Sequence, residues 1–432
     1  MSSGNAQNEQ ANGTAPERIL LATIGSLGDL HPCLALAQEL KRRGHRVTIA
    51  STEYYRAKVQ NLEIAFLPIR PNWDPTDGEM ISQCDDLKRG VEVLYRQWIL
   101  PHLKHTYDDL LSAAADTDLM IAGELNLAAP LVAEKLNLRW VSAILSPASF
   151  LSSHDPSVLV NVPWLFPVRK AGWPVYWAIL NAGRLGIQHW WAPVRQLRRQ
   201  QNLRLHCDPV FRDKFSPNLV LALFSRWLAQ PQTDWPQQTI QPGFVWFDQK
   251  VGSVDPDPQL AAFLASGEPP IVFTQGSTAV HNPGDFYAVS AEAARMLNRR
   301  ALLVGAHSAS SLNSSEILAI PYAPYSQIFP HAAVNVHQGG SGTTGQALRA
   351  GRPQLIVPFG WDQPDNAARV ERLGAGLHLP RATWSPGTAA AALERLLRDA
   401  QFSERATRIG SEIQAEDGLN SACDAIESLL RR

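Results

Sequence analysis

Cysteine is scarce in this chain: Cys33, Cys84, Cys207 and Cys423 are the four in 432 residues, and none stands at a paired ligand spacing. That excludes a disulfide framework or a zinc cluster and points to a reducing compartment, the cytoplasm being the simplest. Net charge is scarce too, with 39 Lys and Arg against 40 Asp and Glu for a formal charge of -1. No overall field draws the chain to nucleic acid, so any phosphate it binds must be held locally. Long apolar runs are missing. Even the Trp-rich region around 160–193 is broken by Arg169, Lys170, Arg184 and prolines, so no segment reads as a membrane span. The turn after the first apolar run, Gly25-x-x-Gly28, lacks the G-x-G-x-x-G spacing of a dinucleotide-binding turn, which sets a Rossmann oxidoreductase aside. Residues 1–16, MSSGNAQNEQANGTAP, lack the basic start and apolar run of a secretory signal and read as a disordered tail.

What is present suits a globule: 45% hydrophobic and 18% charged residues over a length that favours two domains with a cleft between them. Residues 18–24 (RILLATI) run into the turn GSLGDLHP, after which Leu34, Leu36, Ala37 and Leu40 recur at helical spacing. Gly44 ends that helix and 46–50 reads as a second buried strand, so the unit is βαβ with parallel strands. Further strands are expected at 63–67, 118–122 and 139–144. A second series follows the Pro/Gln-rich stretch 230–242, at 271–274, 301–304, 333–336 and 354–357. The fold class is therefore α/β, two Rossmann-like doubly wound domains facing across a cleft. They are placed at 17–232 and 233–418, with a linker near 231–245. A last helix within 419–432 carries Ala422, Ile426 and Leu429 as an apolar stripe. Between 151 and 215 lies a helical insert rich in tryptophan, with Trp164, Trp173, Trp177, Trp190 and Trp191. These either pack the insert or form an apolar acceptor pocket or membrane-facing rim.

Segment 322–376 carries the most chemistry. A buried strand ends at His337, and the small residues Gly339, Gly340, Ser341, Gly342 and Thr343 lead into a helix. Such an entry offers backbone N–H groups and the positive end of the helix dipole, which bind a pyrophosphate without excess Lys or Arg. The next strand ends in PFGWDQPDN, setting Asp362, Gln363 and Asn366 on the carboxyl edge of the sheet. A carboxylate and two amides match the needs of sugar hydroxyls.

The stretch HQGGSGTTGQALRAGRPQLIVPFGWDQPDNA resembles the donor-binding signature of the GT-B glycosyltransferases that use nucleoside-diphosphate sugars, the group of plant secondary-product, sterol and antibiotic enzymes. The resemblance covers nearly the whole chain. It implies that His337 hydrogen-bonds the donor phosphates, that the turn from Ser341 to Thr343 completes that site, and that Asp362 and Gln363 hold the sugar. The QGS turn with Gly276 and Ser277 is similar to a second phosphate loop. Where many plant members stack a Trp on the base and hold the ribose with a Glu, this chain has Tyr322 and Gly345.

GSLGDLHP resembles the GxxGDxxP turn of bacterial and sterol members. That places Gly28 in the turn and gives the Asp29 carboxylate the role of catalytic base, or of support to one. His31 competes for that role, with Asp29 orienting it, and the plain structural reading of Asp29 is an N-cap. The resemblance further implies an inverting, metal-independent transfer of glucose or rhamnose from a UDP- or dTDP-sugar to a hydrophobic or lipid acceptor, with no cofactor and with room for peripheral membrane contact. The pairs Asp116/Asp118 and Asp255/Asp257 read as solvated carboxylates. Phrases such as LSPASFLSSHDP and SRWLAQPQTDWP are similar to bacterial rhamnosyltransferases of rhamnolipid biosynthesis. The rival readings are a non-catalytic nucleotide-sugar binder or accessory subunit, and the epimerase branch of the same fold.

Overall fold

A computed structural model describes residues 16–247, 258–276, 283–306 and 310–431. The wholly apolar runs become inner strands of parallel sheets, because helices cover both faces there. The first sheet contains β1 (Arg18–Ala22), β2 (Arg46–Ser51), β3 (Ala65–Pro68), β4 (Leu119–Gly123), β5 (Trp140–Ile144), β6 (Leu219–Ala222) and β7 (Thr239–Ile240), in the order β3-β2-β1-β4-β5-β6-β7. The second contains β8 (Ile271–Thr274), β9 (Ala301–Val304), β10 (Ile317–Ile320), β11 (Val334–His337), β12 (Gln354–Ile356) and β13 (Gly376–His378), in the order β10-β9-β8-β11-β12-β13. Every paired strand is parallel to its neighbour.

Each sheet reverses its winding once, between β1 and β4 and again between β8 and β11. Crossovers leave on opposite faces at such a point, and a crevice opens beyond the carboxyl ends of the strands. The topology therefore singles out four strand ends, those of β1, β4, β8 and β11, as the place where ligands sit.

Four strands escaped the sequence reading: β6, β7, β10 and β13, each of four residues or fewer. β7 falls inside the stretch read as a linker. Its pairing Val220↔Thr239 and Leu221↔Ile240 carries the first sheet to Ile240, past the boundary at 232.

Alternate residues of each inner strand feed the two faces. Leu21, Ile49 and Ile121 pack on one side of the first sheet, and Leu20, Met120 and Tyr107 on the other. Another cluster spans the two halves, joining Phe150, Phe224 and Trp235 to Leu348, Val370 and Ile413, so closing the halves together removes apolar surface from water. The helix Gly418–Leu430 lies on the N-terminal domain. Its Ala422, Cys423, Ile426 and Leu429 join the core beside Leu34 and Leu40, and Arg43 Nη1 meets Asp424 at 2.5 Å and Glu427 at 3.2 Å.

Within the insert the tryptophans divide. Trp191 is fully buried, with Tyr95 edge-on at 5.4 Å. Trp164, Trp173 and Trp177 are 63%, 53% and 54% exposed. The inward positions around them belong to Leu165, Tyr176 and Leu180. The expected acceptor pocket is thus not lined by those three rings, because the helices turn them outward.

Candidate active site

On the N-terminal side, β1 ends in a turn where Gly25 has φ +134° and a Cβ would stand 2.3 Å from Asp29 Oδ2. Glycine is needed there so that the carboxylate can fold back over the turn. The helix Leu27–Arg42 opens with a capping box. Ser26 Oγ accepts from Gly28 N at 3.1 Å, while Asp29 Oδ2 accepts from Ser26 N at 2.8 Å and from Ser26 Oγ at 3.2 Å. Ser26 is therefore the N-cap and Asp29 the third helical residue, which corrects the plain reading of Asp29. The Gly28 N–H is spent in this cap and is not offered to a phosphate. Among the described residues Asp29 Oδ1 takes no hydrogen bond. Burial lifts the Asp29 pKa to about 7, against the lowering effect of the Ser26 N–H, and the charges of Glu124 and Asp362 add to the rise.

Glu124 was missed by the sequence reading. It follows β4, where Ser149 Oγ donates to its Oε1 at 2.6 Å and Lys214 Nζ to its Oε2 at 3.2 Å. A signal was present, an acidic residue one step beyond a buried strand at the carboxyl edge of the sheet.

His31 does not join Asp29. Two residues on, it lies roughly 200° around the helix, and its ring packs on Phe247 at 5.1 Å between centroids. Burial and the nearby Lys58 lower its pKa to about 4. The arrangement in which Asp29 orients His31 is not present.

On the C-terminal side, the structure departs from the role implied for His337. The residue ends β11 with no exposed surface; its Nδ1 accepts from Gly339 N at 3.0 Å and its Nε2 faces Gln354 Oε1 at 2.9 Å. Both ring nitrogens are engaged inside the domain, and burial lowers the pKa to about 4, so the ring is neutral. His337 here shapes the turn and has no nitrogen left for a phosphate. Gly339, at φ +95°, could carry no side chain, since a Cβ would meet Ile356 Cγ2 at 2.7 Å.

Gly340 then starts the helix Ser341–Arg349, which no side chain caps among the described residues. The N–H groups of the first turn, at Ser341, Gly342 and Thr343, are thereby available to an anion. Space around Gly342 is open, whereas Thr343 is buried. Gly276, two residues beyond β8, lies under the Gln338 amide, and Gln275 Nε2 and Oε1 are buried with no hydrogen-bond partner among the described residues. Ser277 falls outside the described residues. Tyr322 stands 60% exposed beyond β10.

Asp362 precedes the helix Gln363–Leu373. Asn366 Nδ2 donates to Asp362 Oδ2 at 2.8 Å and to Gly339 O at 2.9 Å, tying the Asp362 carboxylate to the glycine turn after β11. Gln363 Oε1 accepts from the N–H groups of Phe359 and Gly360 at 2.7 and 3.1 Å, so the side chain braces the turn that precedes its own helix. Burial raises Asp362 to about 6.

The two sides meet. Ser341 Oγ donates to Leu145 O, Trp361 Nε1 donates to Asp85 Oδ1 at 3.0 Å, and Val158 N donates to Asp365 Oδ1 at 2.9 Å. Elsewhere, Asp118 is not a solvated carboxylate: it ion-pairs with Arg18 at 2.7 Å and anchors β1, while its neighbour Asp116 is exposed. Asp255 and Asp257 fall outside the described residues.

Comparison with known proteins agrees with this architecture. Residues 19–148 match the glycosyltransferase family 28 N-terminal domain, and residues 305–426 match the erythromycin biosynthesis protein CIII-like C-terminal domain. The chain is 32% identical over 430 residues to the O-mycaminosyltylonolide 6-deoxyallosyltransferase of Streptomyces fradiae, covering 95% of this chain and 97% of that protein. It is 28% identical over 442 residues to the sterol 3-beta-glucosyltransferase of Neurospora crassa, covering 95% of this chain but spanning only 27% of that longer protein. Among solved structures, the spinosyn rhamnosyltransferase complexed with thymidine diphosphate superposes with a TM-score of 0.64 at 18% identity, over 95% of this chain and 100% of that one, a likeness of fold. The chain belongs to the GT-B glycosyltransferases of the erythromycin CIII-like and family 28 type. It is accordingly an enzyme that transfers sugar from a nucleotide-sugar donor, and the reading as a non-catalytic binder falls away.

Proposed function

We propose that this enzyme moves a hexose of the 6-deoxy type from a dTDP-sugar to a hydroxyl of an apolar acceptor, in one inverting displacement that needs no metal. The observation that carries the reading is the pairing of the two winding reversals. Asp29 and Glu124 stand at one, the uncapped helix entry and the Gly276 turn at the other, and Asp362 lies close enough to add to the rise in the Asp29 pKa.

In this reading the acceptor O–H donates to Asp29 Oδ1, and its oxygen attacks the anomeric carbon from the face opposite the phosphate. As that bond forms, the bond from the anomeric carbon to the β-phosphate oxygen breaks. The proton ends on Asp29 and the electron pair leaves with the nucleoside diphosphate. A carboxylate with a pKa near 7 is well matched to this task, being a stronger base than His31 yet largely ionised just above neutrality. The developing charge falls on the N–H groups at the start of the helix Ser341–Arg349, whose dipole takes the part a cation would otherwise play. Asp362 and the Gln363 amide receive sugar hydroxyls, and Tyr322 offers a face to the base.

The dTDP-deoxysugar preference draws on the relatives. The full-length relative is named for 6-deoxyallosyl transfer, and the structural neighbour holds thymidine diphosphate. The test is turnover of dTDP-rhamnose, dTDP-glucose and UDP-glucose with a set of apolar alcohols, with the product's anomeric configuration read by proton NMR and the assay repeated in EDTA. Inverted product, unchanged by EDTA and fastest from a dTDP-sugar, is expected. Retained configuration or activity abolished by chelation would overturn the mechanism.

A further inference from the structure

The helix Trp173–Gly186 is built the wrong way round for a helix facing water. Its inward positions are Tyr176 and Leu180, with the polar Asn181 and Arg184 half-buried. Its outward face shows Trp173, Val175, Trp177, Ala178, Ala182 and Leu185, with Leu185 72% exposed and no charged side chain among them. Trp164 adds its ring from the preceding helical segment Pro163–Ala171. An exposed apolar strip of this kind marks a contact surface.

Charge says what covers it. Residues 156–207 contain no Asp or Glu in 52 positions, against seven Arg and Lys. Arg184 pairs with Asp208, while Arg198 and Arg204 share Glu134. Arg169 and Lys170 are exposed at the edge of the Trp strip, and neither makes an ion pair among the described residues; Arg169 lies over the Phe166 ring at 3.5 Å. Exposed tryptophans beside free cations, on a segment without acids, fit the boundary of an anionic bilayer, where indole rings sit at headgroup depth and basic side chains reach the phosphates. No described helix is long and apolar enough to cross a membrane, so the contact would lie along the surface.

We infer that this strip docks the enzyme on anionic phospholipid. The strip is also joined to the cleft. Tyr176 Oη donates to Ser157 O at 3.4 Å, and Ser157 Oγ accepts from Arg369 Nη2 at 3.1 Å, on the helix that begins beyond Asp362. A bilayer under the strip therefore lies beside the cleft; that it also supplies the acceptor rests on the apolar acceptor proposed above.

The test is co-sedimentation of the full-length enzyme with vesicles of phosphatidylcholine alone and of phosphatidylcholine with phosphatidylglycerol, without nucleotide. The double variants Trp173→Ser/Trp177→Ser and Arg169→Gln/Lys170→Gln are run alongside, and dTDP thermal shifts report on the fold. Binding should favour the anionic vesicles, vanish in the tryptophan variant, and weaken roughly fivefold per basic side chain removed, while both variants keep the wild-type shift with dTDP. Equal or absent binding to both vesicle types overturns the inference, as does binding that survives loss of the tryptophans. A concentration-dependent dimer abolished by the tryptophan variant would instead assign the strip to a second copy. Because no nucleotide or turnover enters, failure here is separate from failure of the transfer reaction.

Discussion

The two winding reversals share a topology and present opposite chemistry. At the N-terminal one the segments beyond the strands carry carboxylates, Asp29 in the first turn of the helix after β1 and Glu124 just past β4, and the helix entry is closed by its own capping box. At the C-terminal one the strand ends carry glycines and amides, and the helix entry at Gly340 is left uncapped. A capped entry has used its N–H groups and can host a base; an open entry keeps them for an anion. One backbone plan thus presents a closed or an open helix entry according to whether a Ser-x-x-Asp or a Gly-Ser-Gly follows the strand.

The sharpest break in that comparison is Asp29→Asn, which keeps much of the capping geometry and removes the base. Turnover should fall by roughly 10²- to 10⁴-fold, measured as kcat with saturating donor. The pH dependence has a definite sign. The folded pKa near 7 lies above the unfolded value, so the stability this group contributes is full below about pH 4 and is lost as pH rises through about 7. The asparagine variant should therefore melt higher than wild type at pH 8 and lose that advantage towards pH 4. In the wild type, kcat/KM should rise through an acid limb near pH 7 as Asp29 gives up its proton.

Next in size is His337→Ala. If the ring shapes the turn instead of touching phosphate, the loss of two internal hydrogen bonds and the space left behind should cost about 2–4 kcal/mol in urea unfolding. Nucleotide affinity would then fall only in step with the disordered turn. A variant of wild-type stability that no longer binds dTDP would return His337 to the phosphate.

Gly342→Asp tests the open entry directly. The site has room for a Cβ, and a carboxylate in the first turn favours the helix while repelling a pyrophosphate. The melting point without ligand should hold or rise. The gain of roughly 2.7 kcal/mol expected when dTDP is present at about 100 times its dissociation constant should disappear.

The smallest effect is expected from Glu124→Gln. Removing a charge that raises Asp29 should move the acid limb of kcat/KM to lower pH, with little change in the plateau. A limb that stays in place would show that Lys214 already cancels the glutamate.

Much of this was legible in the residues. Strands such as RILLA and IVFT announce themselves because a parallel strand is buried on both faces and needs an unbroken apolar run. The glycine-rich helix entry at 339–343 and the turn before the helix that starts at Gln363 could be placed because they depend on local residues. Strands of two to four residues, such as β7 and β13, lack the length for a pattern and exist only because a neighbour offers a ladder. Glu124 showed no motif and gains its meaning from lying opposite Asp29 across a reversal.

The sequence by itself determined the alternation of strands and helices, hence two doubly wound domains, and it determined where the carboxylate-bearing and glycine-rich turns fall. Those properties depend on contacts a few residues apart. Tertiary structure alone decided that His337 is satisfied internally by Gln354, that Asp29 and His31 face apart, that Trp361 reaches Asp85, and that Trp191 is core while Trp164, Trp173 and Trp177 face outward. Each of these depends on which distant segment fills the space beside a side chain, and that is set by packing between elements far apart in the chain.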